Sequence, residues 1–282
     1  MDYDWKYYLE DLKAGKSKVI ITDADRRMAG YIMKRFPKEQ RRQKAAAVRD
    51  MLHGYRQRGK AENALIEEAV RCHTEYCSGK EDDELLKRRH NVVVYRYMMK
   101  TARHNKAVAA KIGVCRETVI NDIRQAVDEL LVILFGIPAV GDSPQVWPEA
   151  VRSLFENMRL MKYTLAVSQH FVYQKWEQER SFCVEITDGI LQSIEKAVQL
   201  YEEYCSCCLT TEDTAKRSLE IIRALYLGNG NSTIQRIVDC QEISKETVYA
   251  DVKKATGHFA ELLEYMASLP ERQREVQNFL KF

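Results

Sequence analysis

Residues 106–130 read KAVAAKIGVCRETVINDIRQAVDEL. A short helix is expected from about 106 to 111. Gly113 follows, where a tight turn needs a residue that tolerates positive φ. Val114 is apolar and plugs that turn against a core. A second helix is expected to start at Cys115 or Arg116, with Val119, Ile123, Ala126 and Leu130 recurring at helical spacing on its inner face. The opposite face carries Arg116, Glu117, Thr118, Ile120, Asn121, Arg124 and Gln125. An apolar stripe that anchors a helix, with a polar face left over, is what entry into a DNA major groove about 12 Å wide requires.

The same arrangement recurs at 235–259, QRIVDCQEISKETVYADVKKATGHF. Ile237, Val238, Ile243, Val248, Val252, Ala255 and Phe259 keep the core pattern. Ser244 is a good N-cap, whereas its counterpart Cys115 is a poor one. Glu242 stands where the first stretch has Gly113, so this turn is expected to differ in conformation or to be strained. Upstream, 66–78 (IEEAVRCHTEYCS) and 194–206 (IEKAVQLYEEYCS) share eight of 13 residues at an offset of 128. From Lys87 onward the offset is 129. Lys87 and Arg88 match Lys216 and Arg217, Tyr97 matches Tyr226, and Asp122 matches Asp251. One inserted residue explains the change, and the pattern reads as an internal duplication of a domain-sized unit.

The duplication sets the expected organisation. Residues 136–148, GIPAVGDSPQVWP, hold three of the five prolines. Proline has no amide donor and disfavours helix in the residue before it, so 137–148 reads as a linker. A basic N-terminal helical module (1–136, motif at about 106–126) then precedes an acidic C-terminal one (149–282, motif at about 234–256). Residues 1–136 hold 28 Lys and Arg against 20 Asp and Glu, net +8; residues 137–282 hold 16 against 21, net −5. Residues 26–60 alone carry 12 basic side chains against Glu39 and Asp50, which suggests a grip on a polyanion. With 12 glycines, 5 prolines and helical spacing throughout, the fold class expected is all-α, with four or five helices per copy. Val19-Ile20-Ile21-Thr22 is the one strand-like piece. No apolar run approaches the roughly 20 residues of a membrane span. The charged, aromatic start MDYDWKYYLEDLKAG is not a signal peptide. A cytoplasmic protein with its eight cysteines reduced is therefore expected.

The stretches VAAKIGVCRETVINDIRQA and ISKETVYADVKKA resemble the helix-turn-helix of the sigma-factor region 4 and ArpU-like phage regulator group, over about 25 residues in each copy. The resemblance implies sequence-specific binding of double-stranded DNA by a transcription regulator of phage or prophage type, one that can meet RNA polymerase. No counterpart of the promoter-melting sigma region is present, so a complete sigma factor is not expected. Arg116 and Lys245, at the helix tips, suit guanine O6 and N7, and Asn121 suits adenine. Arg124, Lys253 and Lys254 suit phosphates, and Thr118 and Thr247 a phosphate or a thymine methyl. Glu117, Gln125 and Tyr249 complete the two polar faces. Asp122 and Asp251 would be repelled by DNA and are expected to pair with a base inside the fold. The heads differ at Arg116/Lys245, Ile120/Tyr249 and Asn121/Ala250, so an asymmetric bipartite site is expected. Alternatively, only the basic copy binds DNA, and the acidic copy binds a protein or forms a homodimer interface.

Other chemistry is set aside. Cys72, His73 and Cys77, and Cys205, Cys207 and Cys208, lack the paired spacing of a zinc site, so buried thiols and no metal are expected. Phosphate-loop, nucleophile-elbow and metalloprotease motifs are absent, so neither an enzyme nor a cofactor is expected. The aromatic runs Trp5-Lys6-Tyr7-Tyr8 and His170–Trp176 fit core better than base stacking. The run 130–135, LLVILF, is expected to dock the end of the first copy or to join the copies. Two other functional classes stay open: a protein-binding inhibitor or anti-defence protein that keeps the motifs as scaffold, and a DNA-packaging or replication accessory factor.

Overall fold

The computed structural model describes residues 4–34, 38–78, 84–100, 104–136, 147–168, 177–207, 212–227 and 232–270. Among them are twelve α-helices and two π-helical turns, and no strand. In chain order the helices are α1 (Trp5–Lys13), α2 (Asp23–Lys34), α3 (Lys38–Gly54), α4 (Lys60–Ser78), α5 (Glu84–Val93), α6 (Asn105–Ile112), α7 (Arg116–Phe135), α8 (Trp147–Ser168), α9 (Glu177–Cys207), α10 (Glu212–Ile222), α11 (Ile234–Gln241) and α12 (Lys245–Ser268). Helices α5 and α10 run directly into π turns, Val94–Met98 and Arg223–Leu227. Val19 and Ile21, from the strand-like piece, lie outside any strand and rest against the core half-buried.

The chain folds around α7 and α12. In α7, Val119, Ala126, Val127 and Leu130 fall at helical spacing and are fully buried. The following run, Leu131 to Phe135, is buried on every side, at 1% exposure or less. It is covered by α8 and α9, and Thr164 of α8 donates its hydroxyl to the Val132 carbonyl at 2.7 Å. Gly136 ends the helix in the left-handed conformation, φ 62°. A Cβ at Gly136 would lie 1.7 Å from Thr187 Oγ1 of α9, so both the dihedral and the space demand glycine there. The expected joining role of 130–135 is what the packing shows. Helix α12 repeats the stripe with Val248, Val252, Ala255, Phe259, Leu262 and Met266.

Among the described residues the second half has five helices, within the four or five expected of each copy, and the first has seven. The surplus helices α1 and α2 pack on the second half, against α9 and α12. Tyr8 donates to the Leu200 carbonyl at 2.6 Å, Ser193 to the Asp25 carbonyl at 3.1 Å and Tyr265 to the Leu12 carbonyl at 2.8 Å. Trp5, Tyr8 and Leu12 are buried there, which withdraws a large apolar area from water. Trp5 and Tyr8 of the first aromatic run are thus core, and Tyr7 is exposed. The second run, His170–Trp176, lies outside the described residues. Helix α8 lies between α7 and α4 on one side and α12 and α9 on the other. The two sequence halves therefore share one core. Of the expected linker, 137–146 lies outside the described residues, and Trp147 and Pro148 open α8.

Candidate nucleic-acid interface

Helices α6 and α7 are joined by three residues, and so are α11 and α12. In the first pair Gly113 takes the left-handed conformation (φ 78°, ψ 32°) and the Val114 amide donates back to the Ala109 carbonyl at 3.1 Å. In the second, Glu242 takes the same conformation (φ 53°, ψ 37°) and is the single non-glycine residue with positive φ among the described residues. Of the two outcomes expected at Glu242, the turn keeps its shape and carries the strain, which for an L-residue costs about 1–2 kcal/mol.

Both second helices are capped alike. Cys115 Sγ accepts the Thr118 amide at 3.4 Å, and Ser244 Oγ accepts the Thr247 amide at 3.1 Å. The weak sulfur acceptor still occupies the cap. The hydroxyls of Thr118 and Thr247 lie 3.1 and 3.2 Å from these same cap atoms. Both threonine hydroxyls thus sit against the cap atoms. Its own backbone amide, and after it the Ser244 hydroxyl, hold the Glu246 carboxyl below its usual pKa.

Burial separates the two faces of each helix. Arg116, Glu117, Asn121, Arg124 and Gln125 are exposed on α7, as are Lys245, Tyr249, Lys253 and Lys254 on α12; Thr118 and Thr247 are half-buried. Two large apolar side chains share the exposed faces at equivalent places: Ile120, 41% exposed, and Tyr249, 50% exposed. Asp122 and Asp251 point the other way and are buried. Arg88 donates to Asp122 through Nε at 2.7 Å and Nη2 at 3.1 Å; Arg217 donates to Asp251 at 2.6 and 3.3 Å. Each fork ties the exposed-face helix to the helix before the π turn, the internal pairing with a basic residue expected of these two acids. The signal for the partner was present in the sequence, because Arg88/Arg217 recur at the same offset as Asp122/Asp251. The π turns had no signal of their own.

Five of the twelve basic side chains of 26–60 are tied into the fold. Arg26 donates to the Leu269 carbonyl, Arg41 pairs with Asp128, Arg56 donates to the Arg96 and Met99 carbonyls, Arg58 to the Asp50 carbonyl, and Lys44 lies over the Phe135 ring. Of these, Arg41 is neutralised by a carboxylate, whereas the others keep their charge while their positions are fixed. Behind α7, buried His73 lies 2.8 Å from Glu129, and Arg89 donates to the same carboxylate at 2.7 Å. Cys72, Cys77, Cys115, Cys183, Cys205, Cys207 and Cys240 are free thiols; Cys208 lies outside the described residues. Burial pushes the Cys72 thiol up to about 11, so it is inert. Among the described residues no group of three His, Cys, Asp or Glu side chains is placed to hold a metal ion, and no helix is long and apolar enough to cross a membrane. No family model, no curated protein and no solved structure matches the chain.

Proposed function

We propose that the chain is a sequence-specific transcription regulator that binds double-stranded DNA with two linked helix-turn-helix heads, derived from one duplicated module. The observation that carries this reading is the repetition of one geometry. Twice, a short helix, a left-handed turn residue and a capped second helix stand over a buried apolar stripe and present an exposed polar face. Each second helix is held from behind by the same arginine–aspartate fork. A reading helix needs that rigidity, since base contacts discriminate only when their donors are held in register. Arg116 and Asn121 read base edges in the first head, Lys245 and Tyr249 in the second. Arg124, Lys253 and Lys254 hold phosphates. The unlike pairs Arg116/Lys245 and Asn121/Ala250 make the site asymmetric, with halves about 34 Å apart if the heads face one groove side. The resemblance to phage regulators supports a cytoplasmic site of action, with RNA polymerase as a partner.

The test is selection of bound sequences from a random duplex pool at two salt concentrations. A bipartite motif is the expected result. Arg116→Ala should cost about 1–3 kcal/mol and relax preference at one position. Lys254→Ala should weaken all sequences alike and reduce the salt slope by about one. Weak binding with a steep salt slope and no motif would remove the regulator reading.

A second reading is favoured by Glu242 and by the net −5 of residues 137–282. Only the first head then reads DNA, and the second half docks a protein. A single short motif, unchanged by Lys245→Ala, would establish it. Retained activity in the Arg116→Ala, Asn121→Ala double variant would instead favour a scaffold role, as in an inhibitor.

A further inference from the structure

Helices α3 and α8 hold equivalent places in the two halves. Helix α3 packs on α7, α4 and the π turn Val94–Met98, as α8 packs on α12, α9 and the π turn Arg223–Leu227. His53 of α3 meets Tyr97 edge-on at 5.1 Å, and Phe155 of α8 stacks at 6.0 Å on Tyr226, the repeat partner of Tyr97. The two helices differ in charge. From 41 to 56, Arg41, Arg42, Lys44, Arg49 and Arg56 stand against the single acid Asp50. Arg42, Arg49 and His53 recur at helical spacing and are exposed; Arg56, just past the helix, is exposed too. On α8, by contrast, Arg152 is paired with Glu156 at 3.1 Å and Arg159 lies over the Tyr76 ring. The same difference runs through the first helix of each motif. Lys106 and Lys111 of α6 are matched, at the offset of 129, by Gln235 and Cys240.

We propose that the outer face of α3 is a cationic strip that grips the phosphate backbone of double-stranded DNA beside the first head, through Arg42, Arg49 and Arg56. The strip rests on the reading of α7 as a helix that meets duplex DNA, and not on recognition of any base sequence. It adjoins the first motif at both ends. At one end, burial raises the Asp128 carboxyl pKa while Arg41, Arg49 and Arg124 oppose the rise, so three guanidiniums gather at one carboxylate. Arg41 pairs with that carboxylate at 3.1 Å, which leaves Arg49 and Arg124 in positive excess on the exposed side of α7. At the other end, Arg56 donates to the Arg96 and Met99 carbonyls, both at 2.8 Å. Arg96 in turn donates to the Asn105 side chain, at the first residue of α6, at 3.1 Å. Bonds to neutral carbonyls fix the Arg56 guanidinium without cancelling its charge, so little side-chain freedom is left to lose when a phosphate binds. The planar guanidinium fork suits phosphate oxygens. Arg42 and Arg49 are two helical turns apart, about 10 Å, which matches about three phosphates at 3.4 Å each along one strand.

The experiment is fluorescence anisotropy of the full chain with duplex DNA of mixed sequence, repeated over a series of salt concentrations. Each lost phosphate contact lowers the slope of log affinity against log salt by about 0.9. The Arg42→Gln, Arg49→Gln variant is expected to lose about 1.8 from the slope and to bind every sequence several-fold more weakly. Lys162→Gln, an exposed change on α8, should leave the slope where it is. Circular dichroism checks that the variants fold, and Arg49→Gln alone carries the test if the pair does not. An unchanged slope in the folded variants, an equal fall with Lys162→Gln, no affinity for duplex DNA, or tighter binding of duplex RNA would overturn the strip. The two readings fail separately. A selected motif with an unchanged slope removes the strip and keeps the regulator; a reduced slope with no selected motif keeps the strip and removes the regulator.

Discussion

Arg88 and Asp122 are joined by two hydrogen bonds, of 2.7 and 3.1 Å, which fasten α5 to α7 directly behind the exposed face of α7. Arg217 and Asp251 repeat this contact in the second half. Asp122 is buried while Arg88 keeps part of its guanidinium in water, so removing either partner strands the other unequally. Asp122→Ala should destabilise by about 1.5–3 kcal/mol, as expected for a hydrogen bond to a charged group. In a double-mutant cycle with Arg88→Ala, read by urea denaturation, a coupling of about 1 kcal/mol or more is expected; additive losses would show that the fork is not a stabilising unit.

The left-handed residues give opposite signs in the two halves. Glu242→Gly should stabilise by about 1 kcal/mol, because glycine adopts φ 53° without Cβ strain. Gly136→Ala should destabilise by about 2–5 kcal/mol, from the left-handed dihedral together with a Cβ placed against Thr187. Thermal midpoints of the three proteins check both signs in one experiment.

The two caps differ only in their acceptor atom. Ser244→Ala should cost about 1 kcal/mol. Cys115→Ser should gain about 0.5 kcal/mol, since a hydroxyl accepts the Thr118 amide better than sulfur does. A loss on Cys115→Ser would mean that the thiol makes a contact beyond the cap.

Two histidines make stability depend on pH. Burial lowers His258 to about 4, with Lys254 acting in the same direction and Asp4 opposing. Burial, with nearby His73, lowers His90 to about 4. In the unfolded chain both titrate near 6.5. As pH falls from about 6.5 to about 4, the unfolded state takes up protons that the native state refuses. Stability is therefore complete above that window and is lost within it, by up to about 1.4 kcal/mol per pH unit for each histidine. Urea midpoints at pH 7 and pH 5 should fall accordingly. His258→Gln and His90→Gln should each flatten the slope between these pH values, whatever they do to the midpoint at pH 7.

Local signals in the sequence determined the helices that carry the candidate interface. The three-and-four spacing of Val119, Ile123, Ala126 and Leu130 places α7, Gly113 places the turn, and Ser244 places the start of α12. Each of these effects acts within about four residues, which is why they can be read from one chain. The repeat added the inward role of Asp122 and Asp251, because an acid kept in both copies of a polar helix needs an internal partner. Tertiary structure alone decided the rest. Trp5 meets Glu261 across 256 residues and Tyr8 meets Leu200 across 192, so docking α1 and α2 onto the second half is recorded in no local pattern. Glu242 adopts a glycine's conformation because the packing around α11 and α12 outweighs its backbone preference. Arg41, Arg56 and Arg58 look like free cations in sequence, and only the fold shows their guanidiniums fixed on Asp128 and on main-chain carbonyls. Which helices cover α7 and α12 is settled by packing between elements far apart in the chain.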